Sequence, residues 1–356
     1  MKNHYMLNGL FSKINSFWEM PKVPNLRDLE ENPRIEYDKS NLPENVVVII
    51  GESFAKSHSS LYGYEKNTNP LLSKFVCDSS LFVYENVTSP ATHTLEAFSY
   101  ILNTYKLGHE TDTHPESSIT LPCIARYMGY KTYWISNQSK HGQNENLVGE
   151  YANLCDEEYF VDNKFSGLNR WSKDDEVIPI IKKCLKETTK NNFFFVHLMG
   201  SHFKFSSRYP QKYDVFQSND YKYNILGEKQ RKTIAEYDNT VLYNDFVISE
   251  IIKLFRNQET VLFYFSDHGF DVYESSDDWC GHAKDNNPLS VKIGTQIPFM
   301  LYVSSMYKQR FPQLIKSFSS SISKEFSTDK FIYFVMDILG IRFKDNDDVK
   351  KYSILR

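Results

Sequence analysis

The sequence predicts an α/β fold with a mainly parallel sheet, and three observations predict it. Apolar runs at residues 46–50, 193–196 and 261–265 have strand length and no polar alternation, the pattern of strands buried on both faces. Segments with helical spacing alternate with these runs. Residues able to do chemistry follow the runs directly, where open α/β sheets bind ligands.

Taken in order, residues 20–44 are rich in Pro, Asn and charge and read as a linker. Residues 45–51 form the first strand. Residues 121–128 have helical spacing, with Thr120 as N-cap and Pro122 tolerated in the first turn. Gly129 stops that helix, and residues 131–136 are strand-like. A helix over 174–189 leads to a strand at 193–198. A long helix over 229–255 leads to a strand at 260–266. A strand at 297–303 and a helix at 329–339 complete the reading. No internal repeat or low-complexity segment appears.

Composition bounds the function. The 356 residues suffice for one large domain or two smaller ones, and 41% hydrophobic with 24% charged residues is globular composition. The high aromatic share, 15%, reads as core filling. The net charge is −4 with basic residues spread along the chain, which excludes an electrostatic nucleic-acid binder. No apolar stretch of about 18 residues is present to span a bilayer, and residues 1–20 lack the core of a signal peptide. They carry instead a helical stripe of Leu7, Leu10, Phe11, Ile14, Phe17 and Trp18. The stripe suits a helix docked on its own domain; the alternative is an amphipathic helix on a membrane, with Lys2, Lys13 and Lys22 at the headgroups. Five widely spaced cysteines without a C-x-x-C pair argue against a disulfide framework and a thiolate zinc site.

Four strand ends carry reactive groups: Glu52-Ser53, Asn137-Gln138, Ser201-His202 and Asp267-His268-Gly269. Asp267 and His268 offer oxygen and nitrogen ligands side by side. Glu52 follows a Val/Ile run where an unpaired carboxylate is expensive. His202 and His282 are further imidazoles in polar loops, and each alone reads as an ordinary surface or core histidine. Residues 86–95 are dense in hydroxyls and precede a helix that starts near Leu95. A threonine at that helix start, beside a metal, has the makings of a nucleophile. The pattern does not choose between Thr88, Thr92 and Thr94.

These residues resemble a known family. Gly51-Glu52-Ser53, then Leu61-Tyr62-Gly63-Tyr64 and Asn67-Thr68-Asn69-Pro70, are similar to the opening motif of bacterial phosphoethanolamine transferases, of the alkaline-phosphatase/sulfatase superfamily. Asn86-Val87-Thr88-Ser89 resembles their nucleophile loop, and Trp134 to Gln138 followed by Lys140 a substrate-side motif. His197 to His202 with Arg208-Tyr209-Pro210, Tyr237-Asp238-Asn239 with Asp245, and Ser266 to Gly269 with Gly281-His282 complete an ordered series.

The resemblance implies a three-layer α/β/α sandwich, alkaline-phosphatase-like, with an N-terminal helix and linker over 1–44 and a sulfatase-like catalytic domain over 45–356. It implies zinc held by Glu52, Thr94, Asp267 and His268, with Mn2+ as the alternative ion and a second ion site as a variant. Thr94 becomes the catalytic nucleophile. His202 and His282 take catalytic roles and bind substrate phosphate, and Asn137 and Lys140 contact the donor. The implied reaction moves phosphoethanolamine from phosphatidylethanolamine, through a covalent threonine intermediate, to a lipopolysaccharide or other glycan acceptor.

Two departures stand out. The family's multi-helix membrane domain has no counterpart here, and Pro90 and Tyr100 replace a disulfide that flanks the family's nucleophile loop. Both suit a peripheral protein at the inner membrane, on the cytoplasmic or the periplasmic face, or in the cytoplasm. Met1 and the lack of a truncated span suit a whole chain rather than a fragment. The rival readings are a phosphoglycerol transferase or phosphodiesterase of the same superfamily, and an inactive binding module of a glycan-assembly complex. A sulfatase activity lacks its Cys/Ser-x-Pro-x-Arg motif.

Overall fold

The computed structural model describes residues 26–31, 34–105, 118–140, 146–161, 172–188, 191–222, 225–284 and 286–356. The stripe at residues 7–18 lies outside them.

Seven strands form the central sheet: β1 (Asn45–Gly51), β2 (Leu81–Tyr84), β3 (Lys131–Ser136), β4 (Glu157–Phe160), β5 (Asn192–His197), β6 (Thr260–Ser266) and β7 (Phe299–Val303). Their order across the sheet is β2-β7-β6-β1-β5-β3-β4. From β6 to β4 every neighbouring pair is parallel. Only β7 runs against the rest, pairing antiparallel with both β6 and β2.

The continuous apolar strands behave as their pattern predicts. Every residue of β1, β5 and β6 is buried. Because strand side chains alternate, each strand feeds two cores. Val46, Val48, Ile50, Phe193, Phe195, Phe263 and Phe265 pack on one face. Val47, Ile49, Phe194, Val196, Leu262 and Tyr264 pack on the other. Each fully buried side chain of this size contributes about 1.5–3 kcal/mol.

Helices cover both faces. Helix α1 (Thr94–Ile101), α2 (Leu121–Tyr127), α3 (Asn146–Asn153) and α6 (Phe331–Ile338) contribute to the first core. Helix α4 (Val177–Glu187) and the 28-residue α5 (Glu228–Phe255) contribute to the second. The result is the expected three-layer sandwich. Thr120 caps α2 by accepting from the Cys123 amide at 3.4 Å, and Gly129 follows at φ 90. The helix read from residue 174 opens as a 3-10 turn, Asp174–Glu176, and becomes α-helical at Val177. Strands β2 and β4 were not foreseen: both are four-residue edge strands, too short for a periodic signal, and β4 carries two glutamates.

Candidate metal centre and active site

All four reactive strand ends lie at the carboxyl ends of neighbouring strands β6, β1, β5 and β3. Glu52 follows β1, and Asp267 and His268 follow β6; all three are buried. One ligand atom from each lies within 4.8 Å of the others. His268 Nε2 is 3.2 Å from Glu52 Oε1 and 3.6 Å from Asp267 Oδ2. Thr94, the first residue of α1, joins them. Its hydroxyl donates to Glu52 Oε2 at 3.0 Å and lies 3.3 Å from His268 Nε2. Thr88 is committed elsewhere, bridged to Gln296 and to the parallel strand pair of Asn86–Thr88 with Glu325–Ser327.

The surrounding chain fixes this cluster. The Ser53 amide donates to Asp267 Oδ1 at 3.2 Å, and the Ser53 hydroxyl to Glu52 Oε1 at 2.6 Å. Ser53 holds φ 57, a strained value for a residue with a side chain. Tyr237 locks that turn: its hydroxyl donates to the Ser53 carbonyl at 2.7 Å and accepts from the Ala55 amide at 2.8 Å. His268 Nδ1 donates to the Gly269 carbonyl at 2.7 Å, which directs Nε2 into the cluster. Gly269 itself is required by close approach, since a Cβ there would lie 2.2 Å from the Ile293 carbonyl oxygen.

A metal fits these residues. Asp267 Oδ2 is buried with no hydrogen-bond partner, a costly state that a cation relieves. Two carboxylates, one imidazole and a hydroxyl make a zinc-type oxygen and nitrogen donor set. The protonation of the metal-free cluster agrees. Burial and then the Glu52 charge push Asp267 up to about 8. Burial works against a charged His268, but Asp267 and Glu52 outweigh it and push the imidazole up to about 9. Burial likewise opposes ionised Glu52, yet the hydrogen bond and charge of His268 hold its carboxyl well below the usual range. Protons thus occupy lone pairs for which a metal would compete.

The two loop histidines flank the cluster. His282 Nδ1 donates to the Thr92 carbonyl at 3.0 Å, leaving Nε2 as acceptor. Its ring is 4.9 Å from that of His268 and stacks on His93 at 4.4 Å. Burial, helped by the charges of His268 and His93, pushes it down to about 4, so it is neutral at pH 7. His202 is exposed, close enough for its charge to act on Glu52, and is held by Arg208, whose Nη2 is 3.3 Å from Nδ1.

The two remaining expected residues are not brought to the cluster. Asn137 is fully buried, and its amide donates to Asp174 Oδ1 at 2.7 Å. Asp174 also accepts from the Met199 and Gly200 amides, so the group braces the loop after β5. Lys140 pairs with Glu158 on the edge strand β4. In place of Asn137 its neighbour Gln138 reaches the cluster, with Nε2 3.4 Å from Glu52 Oε2 and donating to the Leu198 carbonyl at 2.9 Å. The donor contact at Asn137 came from the resemblance, and nothing in the strand-end tripeptide itself says which residue faces the cleft.

Among the described residues no helix is long and apolar enough to cross a membrane, and no disulfide joins any of the five cysteines. Residues 44–341 match the sulfatase family, and the chain belongs to it. Its relatives include the phosphoethanolamine transferase EptC of Escherichia coli, 28% identical over 351 residues, covering 97% of this chain and 57% of that protein. The phosphoethanolamine transferase CptA of Salmonella typhimurium is 26% identical over 354 residues, covering 98% and 58%. This chain therefore spans somewhat more than half the length of the curated relatives it matches. The zinc complex of the C-terminal periplasmic domain of E. coli EptC superposes with a TM-score of 0.81 at 27% identity, covering 90% of this chain and 88% of that one. The motif resemblance and the fold it implied are thereby upheld.

Proposed function

We propose that this chain is the catalytic part of a phosphoethanolamine transferase, acting on phosphatidylethanolamine at the inner-membrane surface and on a lipopolysaccharide or other glycan acceptor. The observation that carries the reading is Thr94 Oγ1 in contact with both Glu52 Oε2, at 3.0 Å, and His268 Nε2, at 3.3 Å. Residues 45–356 form the catalytic unit on this reading, preceded by an N-terminal helix and linker over 1–44, from which Leu29, Ile35 and Leu42 pack into the first core.

Glu52, Thr94, Asp267 and His268 would hold zinc. Zinc bound there would supply positive charge that favours an ionised threonine and offsets the charge of the phosphoryl oxygens. The chain's own groups do the rest. Glu52 orients the Thr94 hydroxyl and holds its proton at Oε2. The Thr94 oxygen bonds to the donor phosphorus as the bond to the diacylglycerol oxygen breaks, that oxygen takes the proton held at Glu52, and His202 at the cleft mouth binds the phosphoryl oxygens. In the second half the acceptor hydroxyl gives its proton to the lone pair on His282 Nε2. It then bonds to phosphorus as the Thr94–phosphorus bond breaks, and the Thr94 oxygen takes the proton from His282 Nε2. Gln138 steadies Glu52 throughout.

The test is intact-mass spectrometry of zinc-loaded protein incubated with phosphatidylethanolamine. The expected result is a phosphoethanolamine adduct on Thr94. A metal-loaded sample without adduct overturns the donor assignment.

A further inference from the structure

A second concave space lies apart from the metal cluster. It is a cavity of about 650 Å3, within the size range of small-molecule sites, and its walls include His58, Tyr64, Ile225, Ile234, Tyr273 and Glu274. Tyr237 and Phe270 stand between the two places: the Tyr237 ring is 4.8 Å from His58, and the Phe270 ring is 5.6 Å from His282.

Its polar wall is built from a buried pair. His58 is 4% exposed, and its Nδ1 donates to Asp238 Oδ1 at 2.6 Å. The fully buried Asp238 also accepts from the hydroxyls of Tyr64, at 2.8 Å, and Tyr221, at 2.5 Å. A buried carboxylate that takes three donors favours a cationic partner. His58 is that partner: burial works against the imidazolium, but Asp238 raises its pKa. With Nδ1 occupied, Nε2–H remains as a donor.

Glu274 faces it, its Oε2 4.0 Å from His58 Nε2. That gap is too long for a hydrogen bond and suits one intervening ligand atom. Glu274 is itself placed by Asp271, which accepts from the Glu274 amide at 3.1 Å and the Ser275 amide at 3.2 Å. Tyr273 beside it holds φ 64, a strained value of the kind that collects at ligand sites.

A donor and an acceptor across such a gap select the bridging group. An ammonium has no lone pair for His58. A phosphate oxygen has no proton for Glu274 and is repelled by it. A hydroxyl serves both. The rest of the wall combines the rings of Tyr64 and Tyr273 and the aliphatic Ile225 and Ile234 with the polar Lys222 and Asp277, and Ile225 is 82% exposed. This surface matches the C–H face of a ring whose edge carries hydroxyls.

We propose that this cavity binds a saccharide ring, with one ring hydroxyl bridging His58 Nε2 and Glu274. The proposal rests on the transferase reading only in naming the occupant as a sugar of the acceptor. Binding itself needs neither zinc nor donor, so the two are tested separately.

The experiment is saturation-transfer NMR titration of the full chain with glucose, galactose, N-acetylglucosamine, ethanolamine and inorganic phosphate. At least one sugar is expected to receive saturation. Glu274→Gln should weaken that sugar about tenfold, the size of one lost charged hydrogen bond, and Thr94→Ala should leave it unchanged. Glu274 is partly exposed, so its variant is expected to fold. No sugar signal overturns the proposal, as does a sugar signal indifferent to Glu274→Gln. An ethanolamine or phosphate signal that depends on Glu274 also overturns it. Sugar binding without a Thr94 adduct would keep the cavity and overturn the donor assignment; the adduct without sugar binding would do the reverse.

Discussion

Two buried carboxylate–histidine groups lie on either side of Tyr237, and they differ in how their oxygens are used. Around Asp238 the oxygens accept from His58, Tyr64 and Tyr221. Around Asp267 one oxygen accepts from the Ser53 and His268 amides and the other has no hydrogen-bond partner. Asp238 is self-sufficient and holds the 58–64 loop and the 221 loop against α5. Asp267 is incomplete without a cation. Two residues of the same kind, both with no exposure, thus divide into support and reaction site by satisfaction rather than by burial.

The largest effect that would break the comparison is on transfer. Thr94→Ala should lower phosphoethanolamine transfer by at least about a thousandfold while the far-ultraviolet spectrum and melting temperature stay close to the parent. Full activity in that variant would move the nucleophile to Thr92 or Thr88. Next comes stability. Asp238→Ala should cost about 3–5 kcal/mol in urea unfolding, because it leaves a buried imidazolium and two hydroxyls unpaired. Asp267→Asn in metal-free protein should cost under about 1 kcal/mol or stabilise, since asparagine has the shape and neutrality of the protonated Asp267 that the metal-free cluster already favours. Equal losses in both variants would remove the distinction.

A pH series sharpens it further. A folded-state pKa raised above the unfolded value gives stability that is full below the unfolded value and lost as pH rises through the folded one. Asp267 rises from 3.8 to about 8, and His268 from 6.5 to about 9. Below about pH 6.5 the lowered His282, which gains stability as pH rises, offsets the Asp267 loss, so metal-free protein should lose stability progressively between about pH 6.5 and pH 9. Zinc should flatten the upper part of that curve, because it replaces the protons. Melting temperatures of metal-free protein that hold level from about pH 6 to pH 9 would contradict these ionisations.

Much of this was legible from local pattern. Val46–Ile50 and its counterparts have no reading except a strand buried on both faces, and Glu52, Asp267 and His268 follow such strands directly. Thr94 was legible only through family resemblance, because three threonines share its loop and composition does not rank them. Other features needed the fold itself. His58 and Asp238 stand 180 residues apart, and no spacing rule pairs them. Gly200 shows the same limit: its φ of 51 and a Cβ position 2.6 Å from the Glu52 carbonyl oxygen exist only once β1 and β5 are adjacent. Gly200→Ala should cost about 1–3 kcal/mol and weaken zinc binding together, since the clash falls on the Glu52 backbone. Chelator competition on a variant that still folds would read the second effect.

The smallest expected effect decides between sequence and structure at one residue. Resemblance gives Lys140 a substrate contact; the fold gives it Glu158 as partner, at the far edge of the sheet. A partly exposed pair of this kind contributes under about 1 kcal/mol. Lys140→Ala should therefore leave melting almost unchanged and, on the structural placement, leave the Michaelis constant for donor unchanged as well. The matching change at Gln138, whose amide touches Glu52, should lower turnover with folding intact. If Lys140→Ala instead raises the Michaelis constant severalfold, Lys140 must leave Glu158 to reach donor in the working complex, and the family's substrate-side motif would then extend past the strand end to the sheet edge.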